Sequence, residues 1–143
     1  MKVTTHSAEA TKQFAKELAQ KYIGQGILIT LEGELGVGKT TFAQGFAAGL
    51  DITQKILSPT FVITRQYLLN ATQQTFYHCD LYRFDTGFDT INTGISELLA
   101  NSKDIILIEW ADRLGDRVPS RAISVTLRRL SENKHEITLT TDD

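Results

Sequence analysis

Phe14, Leu18 and Tyr22 recur at four-residue spacing, with Thr11, Ala15 and Ala19 beside them. That is one face of an amphipathic helix, with Ser7 or Thr5 as its cap and Gly24 and Gly26 as its stop. The apolar run 27–31 that follows, with a turn signal after it, predicts a buried strand. Beyond a glycine-rich stretch, residues 40–50 predict a second helix with Phe42, Phe46 and Leu50 on one face and Gly49 near its end. The proline keeps Ser58-Pro59-Thr60 out of a helix. Residues 61–69 predict a strand, Asn70-Ala71-Thr72 a turn, and 75–80 the returning strand of a hairpin. The polar stretch 85–93, with Gly87, is expected as loop, and 95–99 as a short helix. Residues 105–108 form a second fully apolar run and predict another buried strand, ending on Glu109-Trp110. After Pro119, residues 122–130 and 135–140 alternate apolar and polar positions. They predict an antiparallel pair joined around Ser131-Glu132-Asn133.

Parallel and antiparallel signals occur together, with no repeat, low-complexity segment or linker between them. The expected fold class is therefore α/β with a mixed sheet. At 143 residues the chain fits one domain spanning 1–143, able to bury roughly two-thirds of its unfolded surface. The formal net charge of -2 and a single adjacent Lys/Arg pair, Arg128-Arg129, speak against autonomous binding of RNA or DNA. One cysteine, Cys79, excludes an intramolecular disulfide and suits a reducing cytoplasm. No long apolar run follows Met1–His6, so a secretory signal is not expected. Nor does any segment approach the roughly 20 apolar residues that span a bilayer. A cytoplasmic protein without membrane contact is expected.

Gly33-Glu34-Leu35-Gly36-Val37-Gly38-Lys39-Thr40 changes this picture most. Its glycines let the backbone turn tightly and bring N–H groups close to an anion. The loop runs into a helix, whose positive N-terminal end favours phosphate. Lys39 can reach the outer phosphates of a nucleoside triphosphate, and the Thr40 hydroxyl can ligate magnesium. A chance match in a flexible turn would lack the strand before and the helix after. The fold expected is thus a single P-loop NTPase-like domain, its partly parallel sheet flanked by helices and closed by a C-terminal hairpin.

Magnesium takes oxygen ligands, commonly one or two carboxylates. Glu109, at the end of the second apolar strand, is where a P-loop protein places one. Phe76, His78 and Asp80 share one face of their strand by the two-residue period. His78 and Asp80 are expected as a polar pair near the triphosphate, while Cys79 faces the other way as a small core residue. Thr60, in the rigid turn after the phosphate helix, is placed to sense the last phosphate with its hydroxyl. Thr60 and Asp80 are the candidate catalytic residues. His6 and His135 carry no comparable signal.

A GTPase reading lacks its base-reading motif, because Asn133-Lys134 is followed by His135-Glu136. A metabolite kinase would need a lid. Arg113, Arg117 and Arg121 are its only candidate arginines, and Pro119 interrupts a long helical lid. No arginine finger or catalytic base is evident. A stand-alone small P-loop kinase and a nucleotide-gated interaction module remain the alternatives to an ATPase.

Four segments together carry a family resemblance: Gly33-Glu34-Leu35-Gly36-Val37-Gly38-Lys39-Thr40-Thr41, Ser58-Pro59-Thr60-Phe61, His78-Cys79-Asp80-Leu81-Tyr82-Arg83, and Ile108-Glu109-Trp110. In order and spacing the chain resembles the TsaE (YjeE) family over nearly its whole length. The resemblance implies a magnesium-dependent ATPase needed for threonylcarbamoyladenosine in bacterial tRNA. It would work with the TsaB–TsaD pair and meet tRNA only through that complex. It further implies ATP held by Glu34, Leu35, Gly36, Val37, Gly38, Lys39, Thr40 and Thr41. Magnesium would be held by Thr40 and Glu109, with Thr60 and Asp80 near the triphosphate and Trp110 flanking the site. Phe84-Asp85-Thr86-Gly87-Phe88 is less acidic than in many members, and Lys134-His135 stands where an arginine is frequent. Base contacts and partner docking are where those departures bear.

Overall fold

A computed structural model of the chain describes residues 1–34, 36, 38–56, 59 and 63–141. Along it run β1 (Lys2–Thr5), α1 (Ala8–Gln20), β2 (Ile27–Glu32), α2 (Lys39–Gly49), β3 (Thr64–Leu68) and β4 (Thr75–Asp80). There follow α3 (Ile95–Ala100), β5 (Ile105–Glu109), a kinked 3-10 segment (Ala111–Arg117), β6 (Ile123–Ser131) and β7 (Lys134–Thr141). Among the described residues the strands form one seven-stranded sheet in the order β1-β7-β6-β2-β5-β4-β3.

The two apolar runs become β2 and β5, paired in parallel with Ile27 opposite Ile105 and Leu31 opposite Glu109. Strands this uniformly apolar are buried on both faces. Ile27, Ile29, Leu31, Ile105 and Leu107 pack on one side with Phe42 and Phe46 of α2 and Ala15 and Leu18 of α1. Leu28, Ile106 and Ile108 pack on the other side with Cys79, Leu81, Ile95 and Leu114. The two-residue period of an extended chain divides one apolar run between two cores. It also puts Cys79 in the core opposite Phe76, as expected from the sequence. Burial there pushes the Cys79 thiol up to about 12.

β4 and β6 extend the parallel centre on either side, while β3, β7 and β1 close it with antiparallel pairs. The mixed, partly parallel sheet and the final hairpin match the expected fold. Ser7 is the first helix cap, its hydroxyl accepting from the Ala10 N–H at 3.0 Å. α1 itself stops at Gln20, and tighter turns carry the chain on to Gly24 and Gly26. β3 spans Thr64–Leu68, shorter than the 61–69 expected, although Phe61 and Val62 lie outside the described residues.

Strand β1 has no counterpart in the sequence reading. Four residues carry too little alternation to stand out, and this strand is fixed by pairing with β7, Val3 against Ile137. Thr5 at its end is buried with its hydroxyl 2.7 Å from that of Thr11. No helix among the described residues is long and apolar enough to cross a membrane.

Candidate nucleotide site

β6, β2, β5 and β4 are parallel, so their carboxyl ends lie along one edge of the sheet. Open α/β sheets bind ligands at that edge. Register then decides which side chains meet there. Asp80 of β4 stands opposite Glu109 of β5, and Leu31 of β2 lies on the other side of Glu109. The chain leaves β2 at Glu32, passes the glycines and enters α2 at Lys39.

Gly38 caps α2 in a left-handed conformation, φ 102° and ψ 18°. An added Cβ there would meet nothing within 4 Å. Glycine is required for the backbone angle, not for space. No side chain caps this helix end, and the first ladder bond is Phe42 N–H to Gly38 C=O at 2.9 Å. The amides ahead of it, those of Lys39, Thr40 and Thr41, have no partner within the helix and are donors for an anion. Thr40 and Glu34 are exposed, whereas Lys39 is only 7% exposed. Leu35, Val37, Ser58 and Thr60 lie outside the described residues.

The Lys39 ammonium rests over the Trp110 indole, 4.1 Å from the ring centroid. Burial lowers the Lys39 pKa, and Glu109, Asp80 and Asp112 oppose that by their negative charge. Negative charge from two strand ends and from the segment after β5 thus acts on one buried lysine. Trp110 itself takes φ 58° and ψ 40°, a left-handed conformation rare for a bulky residue. It directs the chain from β5 into the 3-10 segment. Tyr82 lies 5.0 Å from the indole, centroid to centroid, and the Arg113 guanidinium 5.3 Å from it.

One expected pairing is corrected. His78 does not pair with Asp80. Its Nε2 lies 2.7 Å from Glu109 Oε2, and its Nδ1 has no hydrogen-bond partner among the described residues. The cause is register: His78 stands opposite Leu107, one side-chain period from Glu109 on the same face of the neighbouring strand. Asp80 instead accepts the Tyr82 N–H at 2.8 Å, which holds the turn leaving β4.

The three candidate arginines also separate. Arg117 donates to the carbonyls of Leu114, Phe88 and Arg113, and Arg121 to those of Leu99 and Asn101. Both brace loops. Arg113 alone of the three lies by Trp110, paired with Asp112 at 2.9 Å. The sequence gives Asp112 no signal of its own, and Tyr82 none beyond its place in the His78–Arg83 segment. Their signal was nearness to Glu109-Trp110 and Asp80 in the chain, which becomes informative once β4 and β5 are known to be neighbours.

Among the described residues, two hollows flank the glycine-rich loop. One of about 190 Å³ is lined by Ala8, Thr11, Gly38, Thr41, Leu127, Glu132, Asn133 and His135. Another of about 520 Å³ lies between Gly33, Glu34 and Gly36 and the β6 residues Thr126 to Arg129. His135, without a signal in the sequence, thus borders the start of α2.

Residues 5–137 match the family model described as threonylcarbamoyl adenosine biosynthesis protein TsaE. The chain belongs to the TsaE family. Among curated TsaE proteins, that of Bacillus subtilis is 36% identical over 140 residues, 98% of this chain and 85% of that protein. That of Treponema pallidum is 31% identical over 139 residues, 97% of this chain and 99% of its own length. Both are named tRNA threonylcarbamoyladenosine biosynthesis proteins. The crystal structure of Bacillus subtilis YdiB superposes with a TM-score of 0.77 at 32% identity, covering 100% of this chain and 86% of that one. The TsaE resemblance read from the four motifs is thereby borne out, and so is the fold.

Proposed function

We propose that this TsaE-family chain is a single-domain, magnesium-dependent ATPase serving threonylcarbamoyladenosine modification of tRNA together with TsaB and TsaD. One observation carries the nucleotide reading. Lys39 opens a helix whose first amides no side chain caps, lies buried over the Trp110 indole, and feels the negative charge of Glu109, Asp80 and Asp112. In this reading Lys39 and the first amides of α2 hold the triphosphate oxygens. The 190 Å³ hollow beside Gly38 and Thr41 is where the rest of the nucleotide leads.

Thr40 and Glu109 are the residues that would hold magnesium. The donor set fits: one hydroxyl and one carboxylate are hard oxygen ligands, and magnesium completes its shell with phosphate oxygens and water. When bound, the ion supplies charge neutralisation on the transferring phosphate. Asp80 contributes negative charge beside Lys39 and fixes the Tyr82 turn. Thr60 keeps its proposed role at the last phosphate.

Phosphoryl transfer is catalysed by positioning and charge stabilisation, and an added arginine is worth roughly a thousandfold or more. Arg117 and Arg121 are committed to backbone carbonyls. That weakens the lid a stand-alone kinase would need, and of the three it leaves Arg113 as an internal source of such a charge. Slow hydrolysis alone and faster hydrolysis with the partner pair are therefore expected. Steady-state ATPase rates for the chain alone, with TsaB or TsaD singly and with both test this. A brisk rate alone that the pair leaves unchanged would overturn the partner-dependent reading.

A further inference from the structure

His78 is 2% exposed and lies almost parallel to Phe76, the ring centroids 6.1 Å apart with 13° between planes. Its polar contact is the one to Glu109, at 2.7 Å. An ionised carboxylate has no proton to give, so Nε2 must carry the hydrogen and donate it. Nδ1, buried without a partner among the described residues, then carries the ring's lone pair. The contact thus has one direction, from Nε2–H to Glu109 Oε2. It joins two strands whose pairing is already fixed by their backbones, and so adds orientation of one carboxylate more than it adds to the sheet.

We propose that His78 is a positioning residue for Glu109. It holds one carboxylate oxygen and the plane of the group, so that the remaining lone pairs are preset toward magnesium or a magnesium-bound water. The proposal rests on the reading of Glu109 as the magnesium-side carboxylate. Partners of this kind, behind the ligand itself, commonly contribute ten- to a hundredfold in metal affinity. The packing around the ring accounts for its tight burial and the aromatic neighbour, but not for a buried polar edge aimed at a carboxylate.

The test separates donor from shape. His78→Gln keeps an N–H donor that reaches as far as Nε2, while the amide of His78→Asn ends short of it and His78→Phe has no donor. Calorimetry would measure ATP affinity at increasing magnesium and again in EDTA, with thermal melts to confirm folding. Asn and Phe should raise the magnesium concentration for half-maximal nucleotide affinity about tenfold or more. Gln should stay within about threefold of wild type, and affinity in EDTA should be unchanged in every variant. Equal magnesium dependence in folded His78→Asn and wild type would overturn the proposal, as would equal losses with and without magnesium. Glu109→Gln, measured in parallel, distinguishes the underlying reading. A shifted magnesium curve for Glu109→Gln with none for the His78 variants defeats the positioning role alone. An unshifted Glu109→Gln curve defeats both.

Discussion

Lys39 is a charge placed where solvent scarcely reaches it, set against an aromatic face, with the negative charge of Glu109, Asp80 and Asp112 opposing the effect of burial. A cation over an indole contributes about 1–2 kcal/mol in a site shielded from water. Micromolar binding of a nucleotide corresponds to about 8 kcal/mol. The aromatic contact is therefore small beside such a binding free energy, and the proposed turn of Lys39 from Trp110 to phosphate would cost little. Trp110 is the chain's one tryptophan, so its emission reports this contact without ambiguity. Emission from Lys39→Met without nucleotide should differ from wild type, because the cation beside the indole is gone. Saturating ATP and magnesium should shift the wild-type spectrum. Superimposable spectra in both comparisons would place Trp110 away from the lysine. The sequence made Lys39, Asp80 and Glu109 candidates through their motifs. It could not show that His78 answers Glu109 and not Asp80, because that follows from the register of strands 31 residues apart.

At the scale of elements, the phosphate helix is seated by its small residues. A Cβ on Gly45 would drive into the Lys12 carbonyl of α1 and lie 2.6 Å from the Lys12 Cα, and a Cβ on Gly49 would drive into the Lys16 carbonyl. Four residues apart, these glycines lie on the same face of α2 and let the two backbones approach closely. In an isolated helix alanine would be favoured over glycine by about 1 kcal/mol. Here the obstacle is backbone, which no rotamer relieves, and overpacking costs about 1–3 kcal/mol. With backbone atoms of Lys12 in the way the cost lies at the upper end of that range, so Gly45→Ala should lower stability by about 2 kcal/mol net, read from urea denaturation midpoints. An unchanged or raised midpoint would mean that α1 and α2 are not so closely packed. The helices were visible as periodic apolar positions, and β2 and β5 as unbroken apolar runs. β1 was not visible, since its burial depends on β7 and on the Thr5–Thr11 contact. The left-handed turn at Trp110 was equally hidden, because no glycine marks it.

For the whole molecule, a parallel centre with antiparallel margins puts the carboxyl ends of β6, β2, β5 and β4 along one edge of the sheet. β2 delivers the phosphate loop, β5 delivers Glu109 and β4 delivers Asp80, all to the same end. The class of fold and the family resemblance could be read from the chain because each rests on local pattern. The convergence of Lys39, Glu109 and Asp80 could not, because strand order is a long-range property. The account stands on that convergence being a triphosphate site. Calorimetric titration of magnesium-ATP into wild type and into folded Lys39→Ala tests it most directly. Saturable binding with one site per chain is predicted for wild type. For Lys39→Ala an affinity at least about a hundredfold weaker is predicted, the loss of a charge-assisted contact worth about 3 kcal/mol. Near-normal affinity in a folded Lys39→Ala would contradict the account.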